Sequence, residues 1–483
     1  MLFKKSFQGT LFFLWLVVIL TGCSMYTPPK PVSIKIPAKF RYALKPSSVP
    51  IKNKWWKNFN EPQLNILINE ALKNNLNYKI AVKNIQIART YVSESQSYLL
   101  PQANINFSIT KNKSSKNSSV LFTPISTEPY HLYQVGINAS YEIPIWNQAE
   151  NAVNQAQTNL LLSREDADVV KLALLSNVSQ TYFQLCALSK NIKNLNEQYL
   201  IMKKILDFYN DRYKSGLIEP VSVEDTKILL EDIKYSLTTL VKLRAINQNA
   251  LAYYLGKYPE NIRTGINNKY FNEMDYTKLV PVNLPSEILI QRPDVKASLD
   301  NVYSYAYAEK ESLANMFPVF SLTGSYGFAS TSLADFITNS SSVWDFGLNV
   351  FAPLFNYNGN YSKYERAKIQ YQQAVLSYRN TVLNAFSETD NVLASYKTDF
   401  EALSTWQNNY HSTKKIFELY TAQYHAGIID PITYLTWKFN LLNAQYNLVN
   451  QNLLLREDII SIYNALGMGL NKTKDKTIKK RES

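Results

Sequence analysis

Few groups in this chain could do covalent or metal chemistry. It holds three histidines and two cysteines among 483 residues. His131, His411 and His425 stand too far apart in sequence to form a local metal motif. No G-x-S-x-G, P-loop or C-x-x-C spacing occurs, so nucleophilic, nucleotide and dithiol chemistries lack their usual frames. Glu142 and Asp345 lie in segments of alternating pattern and read as polar residues of a lining, not as an acid–base pair. Cys186 falls inside a long glycine- and proline-free stretch and implies no disulfide framework. Cys23 is different. It closes Leu20-Thr21-Gly22-Cys23, which resembles a bacterial lipobox, where the thiol takes a diacylglycerol and becomes the first mature residue. No catalysis, cofactor or metal is expected.

The surroundings of Cys23 suit that chemistry. Lys4 and Lys5 precede the apolar run Leu11–Leu20, too short to span a bilayer and right for a signal segment. Two or more acyl chains make a firm anchor where one alone is marginal. Ser24 in place of Asp resembles sorting to the outer membrane. Tyr26 to Pro50 then holds six prolines and no helical period, as an extended strap would.

Long helices dominate the rest. Asn360 to Ala426 contains no glycine or proline, and an unbroken helix of that length reaches about 100 Å. Val375, Tyr378, Val382, Ala385, Val392, Tyr396, Leu403, Trp406, Tyr410, Phe417, Tyr420 and Tyr424 step by threes and fours, the period of a helix packed along a neighbour. Gly427 ends the run and Asp430-Pro431 opens a second one, Ile432 to Leu466, as in a helical hairpin. Ile145 to Ser215, Gly216, Pro220 and Val221 to Leu255 repeat the device, with Gly216/Gly427, Pro220/Pro431 and Gly256/Gly467 all 211 residues apart. A period that long denotes two structural halves, not a solenoid.

Between the long helices the period changes to two. Ala103-Ile105-Phe107-Ile109, Val135-Ile137-Ala139-Tyr141-Ile143, Phe320-Leu322-Tyr326-Phe328 and Trp344-Phe346-Leu348-Val350 alternate with uncharged or sparsely charged polar residues. Segments of about ten residues with that pattern cross a bilayer as tilted strands, though a half-buried soluble sheet alternates in the same way. Lys111–Tyr130 and Ser330–Ser342, rich in Ser, Asn, Lys and Thr, read as solvated tips. Four strands cannot close a barrel, and open edges cannot face lipid, so copies of the chain must share one; two copies give eight strands whose interior side chains fill, and three give twelve with a lumen.

The expected segments are a signal peptide (1–22), a lipidated strap (23–60), a first repeat (61–255), an equatorial connection (256–284), a second repeat (285–467) and a basic tail (468–483). The net charge is +13, but Lys and Arg are scattered except in that tail, so nucleic acid is not an expected partner. Pro293 and Asp294 in LPSEILIQRPDV suit a helix start.

The lipobox, the WWKNFNEPQL block, LPSEILIQRPDV, the two hairpins and the four strands together resemble the TolC-like outer-membrane efflux proteins, in their OprM/NodT-type lipoprotein branch. The resemblance covers Cys23 to about Gly469. It implies a mainly α chain with a small transmembrane β part, assembled as a homotrimer with a 12-strand barrel over a 12-helix periplasmic tunnel. It also implies a passive exit duct of a tripartite pump, whose partners are a periplasmic adaptor, an inner-membrane RND-type transporter and outer-membrane lipid. A type I-like protein-secretion duct, or a non-conducting strut that spans the periplasm, are the alternatives.

By the same resemblance the adaptor docks on the hairpin tips, Lys214-Ser215-Gly216-Leu217 and His425-Ala426-Gly427-Ile428, and the periplasmic gate lies just inward. There the chain departs from its family: Thr433 and Thr436 stand where acidic rings are common, with Ser222 and Asp225 in the first repeat. The nearest tip carboxylates are Glu219 and Asp430. The expectation is a gate of Ile429, Asp430, Thr433, Thr436, Glu219 and Ser222, whose cation preference depends mainly on Asp430 and whose apolar constriction is Ile429. Asp430 could instead only cap the helix that begins at Pro431. A second departure is Asn147, after Trp146, where glycine is common.

Overall fold

The computed structural model describes residues 34, 36–42, 54–115, 128–261, 274–276, 279–280, 286–353 and 355–470. The signal segment, Cys23 and its lipobox, most of the strap and the basic tail lie outside the described residues, as does much of the expected connecting belt.

The first half runs from α1 (Pro62–Asn74) and α2 (Leu76–Ser97) through β1 (Gln102–Asn112) and β2 (Tyr130–Glu142) to α3 (Gln148–Lys214) and α4 (Pro220–Tyr254). The second half opens on a 3-10 turn (Ser286–Gln291) and continues with α5 (Pro293–Ala314), β3 (Val319–Ser330), β4 (Ser342–Phe351), α6 (Tyr357–His425) and α7 (Pro431–Ala465). The duplication read from the hairpins thus extends to the whole order of elements. α4 and α7 are both 35 residues long, and α2 and α5 are both 22. The break between α1 and α2 falls at Asn75, whose side chain accepts the Tyr78 N–H and donates to the Tyr254 carbonyl. The second helix therefore starts at Leu76. α6 takes Gly359 into its first turn and begins ahead of the expected Asn360.

The chain forms two compact units. One gathers Ile85–Ser163 with Ser298–Tyr378 and contains the sheet. Its strands pair antiparallel in the order β1-β2-β3-β4. At the end of β2, Trp146 stacks on Phe317 with ring centroids 4.8 Å apart and donates to the Pro318 carbonyl at 2.7 Å. Asn147 has φ of 55°. Asn tolerates this left-handed conformation better than other residues with a Cβ, which accounts for asparagine at a position where glycine is common. The expected solvated tip over Ser330–Ser342 is partly apolar instead. Phe336 folds back, buried against Phe107 and Tyr133.

The other unit gathers Ile34–Asn84, Arg164–Ala297 and the chain from Arg379 onward. The tryptophan block is its keystone: Trp55 stacks on Tyr463 at 5.1 Å, nearly parallel, and donates to the Met468 carbonyl at 3.0 Å. Arg292 donates to the Ala465 carbonyl and forms ion pairs at 2.8 Å with Asp294 and Glu388, so the Arg-Pro-Asp segment closes the C-terminal end of α7 as well as opening α5. Tyr276, Leu279 and Val280, from the expected belt, are buried in the same core, while Tyr258 is exposed. The stripe on α6 is buried at Tyr378, Val382, Ala385, Tyr396 and Leu403, with Ala374, Thr389 and Leu393 joining it.

Candidate conducting face and hairpin tips

Strand register sorts the sheet into two faces. Ile105, Ile137, Tyr326 and Trp344 stand side by side, as do Ala103, Ala139, Gly324 and Phe346, with Tyr141, Leu322 and Leu348 following. One face is therefore apolar across all four strands, and its largest groups, Ile105, Phe107, Trp344 and Phe346, are exposed. On the other face run the rows Asn104–Asn138–Ser325–Asp345 and Gln102–Ser140–Thr323–Gly347. Glu142 continues that face beside Ser321 and Asn349. Glu142 and Asp345 share a face but not a row. Hydroxyls and amides knit the rows: Ser325 donates to Asp345, and the Asn349 amide donates to the Thr323 hydroxyl at 3.0 Å. Gly136 and Gly327 face each other where β2 and β3 approach too closely for a side chain.

The hairpin turns are built identically. Gly216 and Gly427 have φ of 72° and 71°. In the first turn the Leu217 N–H bonds the Arg212 carbonyl and the Gly216 N–H that of Tyr213; in the second, Ile428 bonds Gln423 and Gly427 bonds Tyr424. This is the Schellman closure, which only a residue at ease with positive φ completes. Lys214 and His425 end their helices, and Ser215 back-bonds to the Asp211 carbonyl. Ala426, like Gly427, is exposed. Each tip presents one apolar side chain to solvent, Leu217 at 72% exposure and Ile428 at 71%.

Inward of the turns the repeats diverge. Asp430 caps α7, accepting from the Ile432 and Thr433 N–H groups at 2.9 and 3.2 Å and from the Thr433 hydroxyl at 2.8 Å. Slight burial pushes its carboxyl upward, but those hydrogen bonds and the Arg212 guanidinium outweigh it and hold it below the usual range. Glu219, the equivalent residue before α4, makes no capping bond. The Thr436 hydroxyl bonds back to the Ile432 carbonyl, so neither threonine offers a free hydroxyl there. Ile429 and Ser222 are half-buried. Arg212, 3.9 Å from Asp430, was not legible from spacing because the pair joins the two hairpins. Nor was the aromatic stacking in the second hairpin alone, Tyr424 on Tyr434 at 4.6 Å and Tyr420 on Trp437 at 5.2 Å. The first hairpin has Val223 and Thr226 at the positions of Tyr434 and Trp437. Among the described residues no His, Cys, Asp and Glu cluster could hold a metal, and no helix is long and apolar enough to cross a membrane.

The outer membrane efflux protein model matches residues 67–257 and 284–468, which takes in both halves. The chain belongs to the outer membrane efflux protein family. Among curated relatives, the cation efflux system protein CusC of Escherichia coli K12 is 26% identical over 461 residues, 93% of this chain and 97% of CusC. The probable outer membrane lipoprotein SilC of Salmonella typhimurium is 27% identical over 477 residues, 94% of this chain and 97% of SilC. Among solved structures, the Campylobacter jejuni CmeC outer membrane channel aligns with a TM-score of 0.83 and 25% identity over 95% of this chain and 98% of CmeC. This efflux protein is thus an outer-membrane exit duct with the helical and β parts of the TolC-like channels, and the outer-membrane component of a tripartite efflux system.

Proposed function

We propose that three copies of this chain close a twelve-strand barrel, anchored through acylated Cys23, and pass small toxic molecules outward from an inner-membrane RND-type transporter and a periplasmic adaptor. One observation carries the assembly: β1 and β4 are open edges of a sheet with one largely apolar face. Such edges cost several kcal/mol per unpaired backbone group in lipid unless a neighbouring copy pairs them. The helices support it too, with exposed apolar residues seven apart on α6 (Ile369, Leu376, Leu383) and on α4 (Val221, Ile228, Tyr235). That is the seam spacing of helices awaiting partners. Conduction through the duct is passive.

The adaptor docks on Lys214–Leu217 and His425–Ile428, with Leu217 and Ile428 as apolar anchors. The gate lies inward at Ile429, Asp430, Thr433, Thr436, Glu219 and Ser222, where threefold repetition makes each a ring. The segment boundaries 1–22, 23–60, 61–255, 256–284, 285–467 and 468–483 follow the same plan. A protein-secretion duct or a strut are the competing assignments, and conductance in planar bilayers excludes the strut. In cells, cross-linking should trap three chains, and Cys23→Ala should block lipid labelling. A species no larger than one chain after cross-linking refutes the trimer.

A further inference from the structure

The polar face of the sheet carries no positive charge. Its positions are the even-numbered residues of β1 and β2 and the odd-numbered residues of β3 and β4. Two of them are charged, Glu142 and Asp345, and both are acidic and exposed. The chain as a whole has 51 Lys and Arg against 38 Asp and Glu. Lys111, the one described strand lysine, has the register of the apolar face, opposite His131. Among the described residues, neither Glu142 nor Asp345 has a cationic partner, whereas Asp430 at the hairpin turn is faced by Arg212 at 3.9 Å.

We propose that Glu142 and Asp345 are selectivity-determining residues of the duct and give its β part a preference for cationic cargo. The inference rests on the three-copy barrel above, in which the apolar face meets lipid and the polar face lines the lumen. Each acidic position then becomes a ring of three carboxylates. The two rings lie four residues apart along the strands, about 13 Å at 3.3 Å per residue. A twelve-strand barrel with strands about 4.8 Å apart and tilted about 40° has a backbone radius of roughly 12 Å. Side chains reaching inward bring the carboxylates within about 8 Å of the axis, inside the Debye length of about 10 Å at 0.1 M salt and well outside the 3 Å at 1 M. A permeating ion at the axis therefore feels both rings at low salt. Ser325 holds the Asp345 carboxylate within its row, so the charge sits at a fixed depth.

The test is the reversal potential of purified full-length protein in planar bilayers across a potassium chloride gradient. The wild type favours K+ over Cl− several-fold at 0.1 M, and the preference shrinks at 1 M. Glu142→Gln with Asp345→Asn keeps size and hydrogen bonding, so conductance persists while the 0.1 M permeability ratio falls at least twofold. An unchanged ratio in a conducting double variant overturns the proposal and leaves the barrel standing. A wild-type protein that inserts as a trimer but does not conduct overturns the barrel reading and this proposal together. Should the double variant not assemble, Asp345→Asn alone is measured, with a reduced ratio expected and an unchanged one decisive against.

Discussion

Asp430 at the start of α7 lies 3.9 Å from Arg212 in the last turn of α3, and so ties one hairpin to the other. Both side chains are nearly half exposed, so the pair itself contributes little to stability. Its carboxylate does two jobs, capping and carrying charge, and substitution separates them. Asn caps as well as Asp, so Asp430→Asn should leave the melting temperature within about 2 °C, while Asp430→Ala loses about 1 kcal/mol of helix stability. Removing the charge leaves Arg212 unopposed, and block by divalent cations added at the hairpin end should weaken in Asp430→Asn. Unchanged block and selectivity would reduce Asp430 to a cap.

Docking is best tested without touching the two turn glycines, whose positive φ any other residue would strain. Leu217→Glu with Ile428→Glu replaces the exposed apolar side chain of each tip and leaves both caps intact. Trimer yield should be unchanged, while drug resistance in cells falls to that of a strain without the channel. Full resistance in this variant places docking elsewhere.

A Cβ at Gly327 would come within 2.2 Å of the Val135 carbonyl oxygen, a backbone atom that cannot yield cheaply. Gly327→Val should therefore part β2 from β3, and folded trimer should be lost from outer-membrane fractions. Gly359→Ala, where nothing lies near the added atom, serves as the control and should assemble normally.

Burial raises the Asp458 carboxyl to about 7, with the neighbouring Asp399 carboxyl and Glu457 adding to the effect. The folded state then binds a proton that the unfolded chain, with an ordinary carboxyl near 3.8, gives up. Stability from this group should grow as pH falls from about 7 towards 4 and be absent above 7, with a slope of up to about 1.4 kcal/mol per pH unit. Thermal melting in detergent between pH 5 and 8 reads it. Asp458→Asn should flatten the profile and raise the melting temperature at pH 8; a wild-type profile equally flat would show that the proton is not held there.

The sequence alone determined whatever depends on local periodicity and turn chemistry. Uninterrupted 3.5-residue stripes demand long packed helices, and Gly216 and Gly427 before Pro220 and Pro431 demand two hairpins. A period of two in four short segments demands strands with one apolar face. These are constraints between residues a few positions apart, so they survive in one dimension. The tertiary structure decided what depends on residues distant in the chain. The register of β2 against β3 put Asp345 and Glu142 on one uncompensated polar face, although 203 positions separate them. The packing of α3 beside α7 brought Arg212 to Asp430. The return of the chain end set Tyr463 against Trp55, a contact across 408 positions, and gave the tryptophan block its purpose. Helical spacing says which face of a helix is apolar, but not which neighbour covers it, because one stripe fits many partners equally well until the whole core is assembled.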